Sequence, residues 1–167
     1  MEVHAMNKPS KLISLSLALA ATMSLSLPAY AIDPAVLTLV TEGDNFLAAG
    51  DSYSANISFI NAKGTAADKR DWDGMLTLSD RFLSLGSEYH GKDCFLIATQ
   101  IGHEIADSAA GDQDRCDQAI EALSRAALSW ESGLIDIAMT DETKAQMQGM
   151  SDIASQNADY YEANGCN

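Results

Sequence analysis

His103-Glu104-Ile105-Ala106-Asp107 places an imidazole and two carboxylates within five residues. The outline is that of a zinc-protease helix motif, in which two histidines four residues apart share a helix face beside a glutamate base. Here the second ligand position holds Asp107, so His103 and Asp107 form at best a weak metal pair. Catalytic zinc normally takes three protein ligands in a shielded pocket; Glu104 and His90 are the remaining candidates. If Ile97, Ile101 and Ile105 mark the buried side of this helix, His103 points towards solvent. No cofactor is expected.

Asp71-Trp72-Asp73-Gly74 invites comparison with a calcium loop. With Gly74 at the sixth position, Asp71, Asp73 and Asp80 fall at three, five and twelve. The first position is then Lys69, where a carboxylate ligand is required. Met75 and Leu76 also continue a helical apolar stripe through the segment. The calcium reading fails.

Asp112, Asp114 and Asp117 gather where a long helix should begin. Carboxylates there complement the helix dipole and accept free N–H bonds. They are also candidate contacts for a basic partner. Tyr160 and Tyr161 are adjacent, so only one can face a core; the other is available as an interface anchor. The chain has no G-x-S-x-G elbow, phosphate-cradling glycine loop or haem-attachment C-x-x-C-H sequence. The methionines read as core filling.

These residues need positioning elements, and the sequence marks them in order. Lys8 and Lys11 precede a run from Leu12 to Leu27 with only Ser and Thr as polar residues, then Pro28 and Ala29-Tyr30-Ala31. Charged start, apolar middle and A-x-A end form a secretory signal. The apolar run is about 16 residues, short of the roughly 20 that cross a bilayer. Residues 1–31 are therefore expected to be a cleaved signal peptide, with no stable membrane anchor afterwards. Residues 32–167 should form one domain in the periplasm or outside the cell.

That domain should be all-α, since β-branched alternation is nearly absent. Asp33-Pro34 opens a first helix ending near Gly50, and Asp51 a second, carrying Tyr53, Ile57 and Ile60 and ending at Gly64. Thr65 and Asp68 resemble a capping box for a third helix with Trp72, Met75, Leu76, Phe82 and Leu83 inward, ending at His90-Gly91. A fourth runs from about Lys92 to Ala110. In the fifth, Cys116, Ile120, Leu123, Ala127, Trp130, Leu134 and Ile137 recur at steps of four and three, one continuous stripe. Thr140 caps the sixth, with Met147, Met150, Ala154 and Tyr161 inward. Short connections make neighbours antiparallel. The expected architecture is an up-down bundle of four long helices with a short N-terminal helical hairpin.

This topology selects among the cysteines. Cys94 and Cys116 begin successive antiparallel helices at opposite ends, about 24 Å apart. Cys166, just past the sixth helix, returns to the end where Cys116 sits. A disulfide needs Cα atoms within about 7 Å, so Cys116–Cys166 is the expected bridge and Cys94 a buried free thiol.

Charge bounds the function. Ten basic against 24 acidic residues give a net charge of −14, which opposes nucleic-acid and anionic-lipid binding. It suits a basic protein partner. The sequence therefore reads as an exported, non-catalytic binding or interaction protein. Its general type is that of immunity proteins and inhibitors, with Asp112, Asp114, Asp117, Tyr160 and Tyr161 as contacts. The alternative is a metal- or cofactor-binding protein using His103 and Asp107.

Overall fold

The computed structural model describes residues 31–133 and 139–166. The expected signal peptide lies almost wholly outside the described residues, as do Leu134 and Ile137. Six helices make up the described chain: α1 Pro34–Ala48, α2 Ser52–Lys69, α3 Trp72–Ser84, α4 Glu88–Ala109, α5 Gln113–Gly133 and α6 Asp141–Asn164. Among the described residues there is no strand, and no helix is long and apolar enough to cross a membrane.

Several boundaries follow the expected chemistry. Asp33, Asp51 and Thr140 accept N–H bonds from Ala35, Ser54 and Thr143 as N-caps. Gly111, at φ +85°, follows α4 in a conformation that side chains resist.

The α2–α3 and α3–α4 junctions differ from expectation. The second helix does not stop at Gly64 but runs on to Lys69, and Arg70 turns left-handed at φ 57° to end it. A helical glycine costs only about 1 kcal/mol relative to alanine, too little to stop a helix whose core face continues to Ala66. Thr65 is therefore no cap; its hydroxyl donates to the Asn61 carbonyl within α2. The third helix starts instead at Trp72, where Asp71 accepts from the Gly74 N–H at 2.9 Å. It ends at Ser84, with Gly86 at φ +74° after it. His90 and Gly91 thus lie in the first turn of α4.

The inward faces of α3, α5 and α6 match the periodicity. Trp72, Met75, Leu76, Phe82, Leu83, Cys116, Leu123, Ala127, Trp130, Met147 and Ala154 are all buried. Helix α2 does not match. Tyr53, Ile57 and Ile60 are exposed, and Ala55, Phe59, Ala62 and Ala66 face the core. Small residues on that side let α1 approach closely: Gly43 sits against the Phe59 ring, where even a methyl would overlap. Phe59 then meets Phe82 edge-on at 6.1 Å between centroids.

Each helix packs chiefly on its chain neighbours, α1 on α2, α3 on α4, α4 on α5 and α5 on α6. Contacts between ends fix directions. The Asp33 N–H donates to Asp71 and Arg81 chelates Asp44, so α1 and α3 run the same way. Lys63–Asp93 and Arg70–Glu104 ion pairs set α2 alongside α4 in the same sense. Among the described residues, no comparable α3–α6 interface closes the last four helices on one another.

Cys116 and Cys166 form a disulfide, with Cα atoms 5.4 Å apart. The Cys166 N–H also donates to the Cys116 sulfur at 3.0 Å. Cys94 is a fully buried free thiol, and burial pushes its pKa up to about 12. Because the thiolate is the reactive form, native protein should leave Cys94 unmodified by a thiol reagent over hours at pH 8. One equivalent should react on unfolding in urea without reductant, and three after reduction. Fast labelling of the native protein would contradict the burial.

Candidate functional site

Except for His90, which packs against Phe82 in the first turn of α4, far from His103 and Asp107, the candidate binding and metal residues from the sequence converge on one end of the molecule. Helices α4 and α6 run parallel and bring their C-terminal halves together. His103 Nε2 lies 3.5 Å from the Asn157 amide nitrogen, and its ring meets Tyr161 edge-on at 6.5 Å between centroids. Tyr161 packs against Tyr160 at 5.7 Å. The Cys116–Cys166 bridge holds the start of α5, with Asp112, Asp114 and Asp117, beside the end of α6. Carboxylates and tyrosines from three helices therefore share one end.

His103 does not point freely into solvent as the isoleucine face implied. It is half-buried because α4 is an inner helix, packed by α3 and α5 on one side and α6 on another. A single apolar stripe cannot describe a helix with several neighbours. Asp107 is exposed and close enough to Tyr161 that its charge, after burial, raises the phenol pKa. Among the described residues, no group of three or more His, Cys, Asp or Glu side chains has the arrangement of a metal site. His103 and Asp107 thus gain no third ligand there.

Among the described residues, none of Asp107, Asp112, Asp114 and Asp117 takes part in an ion pair. Asp112 accepts the Arg115 N–H at 3.3 Å, and Asp117 accepts from the Gln113 amide at 2.7 Å. Those are local bonds at a helix start. Tyr160 is 60% exposed while Tyr161 packs inward, so the pair divides as adjacency requires.

The calcium-like segment is structural. Asp71 joins the starts of α1 and α3, and Asp73 pairs with Arg125 at 2.8 Å while Arg125 lies over Trp72. Burial pushes the Asp73 carboxyl up, and the Arg125 guanidinium partly offsets this.

No protein-family model matches the chain, and neither curated proteins nor solved structures give a match to it. Function must be argued from the site itself.

Sequence reasoning missed the groove that leads away from this end. Leu96, Met150 and Ile153 lie where its two halves meet and line both. Tyr89, Lys92, Gln146 and Gly149 border one half (about 440 Å³), and Gln100, His103, Glu104 and Asp107 the other (about 480 Å³). Leu96 is 49% and Ile153 56% exposed, and they stand on either side of the same groove. A signal existed: Gly149, Ile153 and Tyr160 recur at steps of four and seven, opposite the Met147 side.

Glu88 falls outside the third helix, expected to end at His90-Gly91. It belongs to the first turn of α4 and accepts from the Thr140 N–H and from the Thr140 hydroxyl, each at 2.9 Å, and from the Thr143 hydroxyl. Those bonds, Thr143 first, hold its carboxyl below the usual range and fasten the start of α6 to α4. They keep the groove's second wall in place.

Proposed function

We propose that this chain is an exported, non-catalytic binding domain that engages a basic protein partner in the periplasm or the extracellular space. Its type is that of an immunity protein or inhibitor. The observation that carries this reading is that Asp107, Asp112, Asp114 and Asp117, which take part in no ion pair among the described residues, share one end of the molecule with an exposed Tyr160. Unpaired carboxylates on a chain of net charge −14 raise the encounter rate with a cationic protein. A tyrosine at the same end supplies the apolar anchor that charge alone lacks. The disulfide keeps both groups in register outside the cytoplasm, where such bridges persist.

The test is a combined Asp112→Asn, Asp114→Asn and Asp117→Asn variant. All three positions are exposed, so the melting temperature should change little. Association with the captured partner should slow by at least about tenfold at low salt, and the difference should shrink as salt rises. Unchanged association rates would remove the acidic end from the interface.

A further inference from the structure

The groove between α4 and α6 is an apolar trough open to solvent. Its borders run from Tyr89 to Asp107, about 27 Å along α4 at 1.5 Å per residue. That length suits about five turns of helix. Leu96, Met150 and Ile153 form its apolar floor and lip.

Gly149 is a second, independent mark. It lies inside α6, where glycine costs about 1 kcal/mol relative to alanine. A side chain there would meet nothing within 4 Å. No internal packing demands glycine at this point. Bare backbone on a groove wall allows another chain to approach closely.

Charge selects the occupant. The Tyr89 end carries Lys92, which donates to Gln146, while the other end carries Asp107 and lies beside the acidic start of α5. Asp93 and Glu104 are already paired with Lys63 and Arg70 of α2, whereas Asp107 at one end and Glu142, beside Gln146 at the other, take part in no ion pair among the described residues. A second copy of this chain would set one protein of net charge −14 against another, which opposes self-association over this face.

We infer that the α4–α6 groove seats an amphipathic helix of the partner, apolar side down on Leu96, Met150 and Ile153, with cationic residues over the Asp107 end. This rests on the reading of a basic partner and adds where it binds and what it presents. The mode is helix-in-groove recognition, with anchors at i, i+3 or i+4 and i+7.

Three synthetic 18-residue peptides test it on the oxidised protein by backbone amide NMR and fluorescence anisotropy. One carries leucines at helical spacing flanked by lysines, one the same leucines flanked by glutamates, and one the lysine composition scrambled. The lysine-flanked helix should bind at least about tenfold more tightly than the other two and shift the amides of Leu96, Gly149 and Ile153. Leu96→Glu and Ile153→Glu should each weaken it by about tenfold with an unchanged melting temperature, since both residues are half-exposed. Gly149→Leu should also weaken it.

Peptide that binds with the groove variants unaffected, and with shifts confined to residues 112–117, would overturn the groove while leaving the basic-partner reading standing. Equal binding of lysine- and glutamate-flanked helices at the groove would overturn the cationic occupant. Failure of all three to bind, or displacement of the peptide by dimerisation of the protein, would overturn the inference outright.

Discussion

Replacing Cys116 and Cys166 together by serine is expected to destabilise the protein by about 4 kcal/mol. The bridge closes a loop of 50 residues in sequence, and restricting such a loop in the unfolded chain contributes about that much in the chain-entropy account. Both sulfurs also pack in a small buried cluster with Ala106, Ala109 and Ala119, so two buried hydroxyls add to the loss. Urea denaturation of the variant should show a lower midpoint by the corresponding amount. The effect reaches function as well. Without the bridge the end of α6 is freed, and Tyr160 loses its fixed place at the end that holds Asp112, Asp114 and Asp117. Partner affinity should fall in a variant that is still folded at low temperature. A midpoint unchanged on reduction would mean that the bridge constrains nothing the fold does not already hold.

Phe59→Ala should cost a similar amount, about 4 kcal/mol, within the range for emptying a fully buried aromatic site. Phe59 is completely buried, meets Phe82 of α3 and fills the space above Gly43 of α1. It therefore joins the α1–α2 pair to the rest of the molecule. The complementary change makes the claim sharper. Gly43→Ala should destabilise despite the better helix propensity of alanine, because the methyl meets the Phe59 ring. Combining Gly43→Ala with Phe59→Leu should cost less than the two changes taken separately, since the smaller side chain yields the needed space. Simple additivity in that cycle would show that the two residues do not touch.

Much of the fold was legible because its cues are local. Asp33, Asp51 and Thr140 cap helices by side-chain geometry alone, and the α5 stripe from Cys116 to Trp130 needs no knowledge of the neighbours. The disulfide was legible for a topological reason: antiparallel neighbours return to the same end every second helix, which excludes Cys94 on distance. What failed depended on tertiary contacts. Gly64 looked like a stop because its modest penalty is hidden once Ala62 and Ala66 are buried. Tyr53, Ile57 and Ile60 looked inward because they are apolar, yet small residues won the inner face of α2, where α1 comes close.

The site divides along the same line. Asp112, Asp114, Asp117 and the tyrosine pair were visible as residue types, and the bridge that assembles them could be deduced. His103 was misoriented because one apolar face cannot describe a helix packed on several sides. The groove was invisible for the same reason: it exists only because α6 lies parallel to α4, held at its start by Glu88 with Thr140 and Thr143.

The most direct test is affinity capture with the oxidised protein as bait, run at low and at moderate salt in lysates of its source and of neighbouring species. The account predicts one dominant, stoichiometric partner of net positive charge, retained at low salt and released at about 0.5 M, where surface charges are screened beyond a few ångströms. Retention of a single acidic partner that ignores salt would contradict it, and so would an empty capture from every lysate.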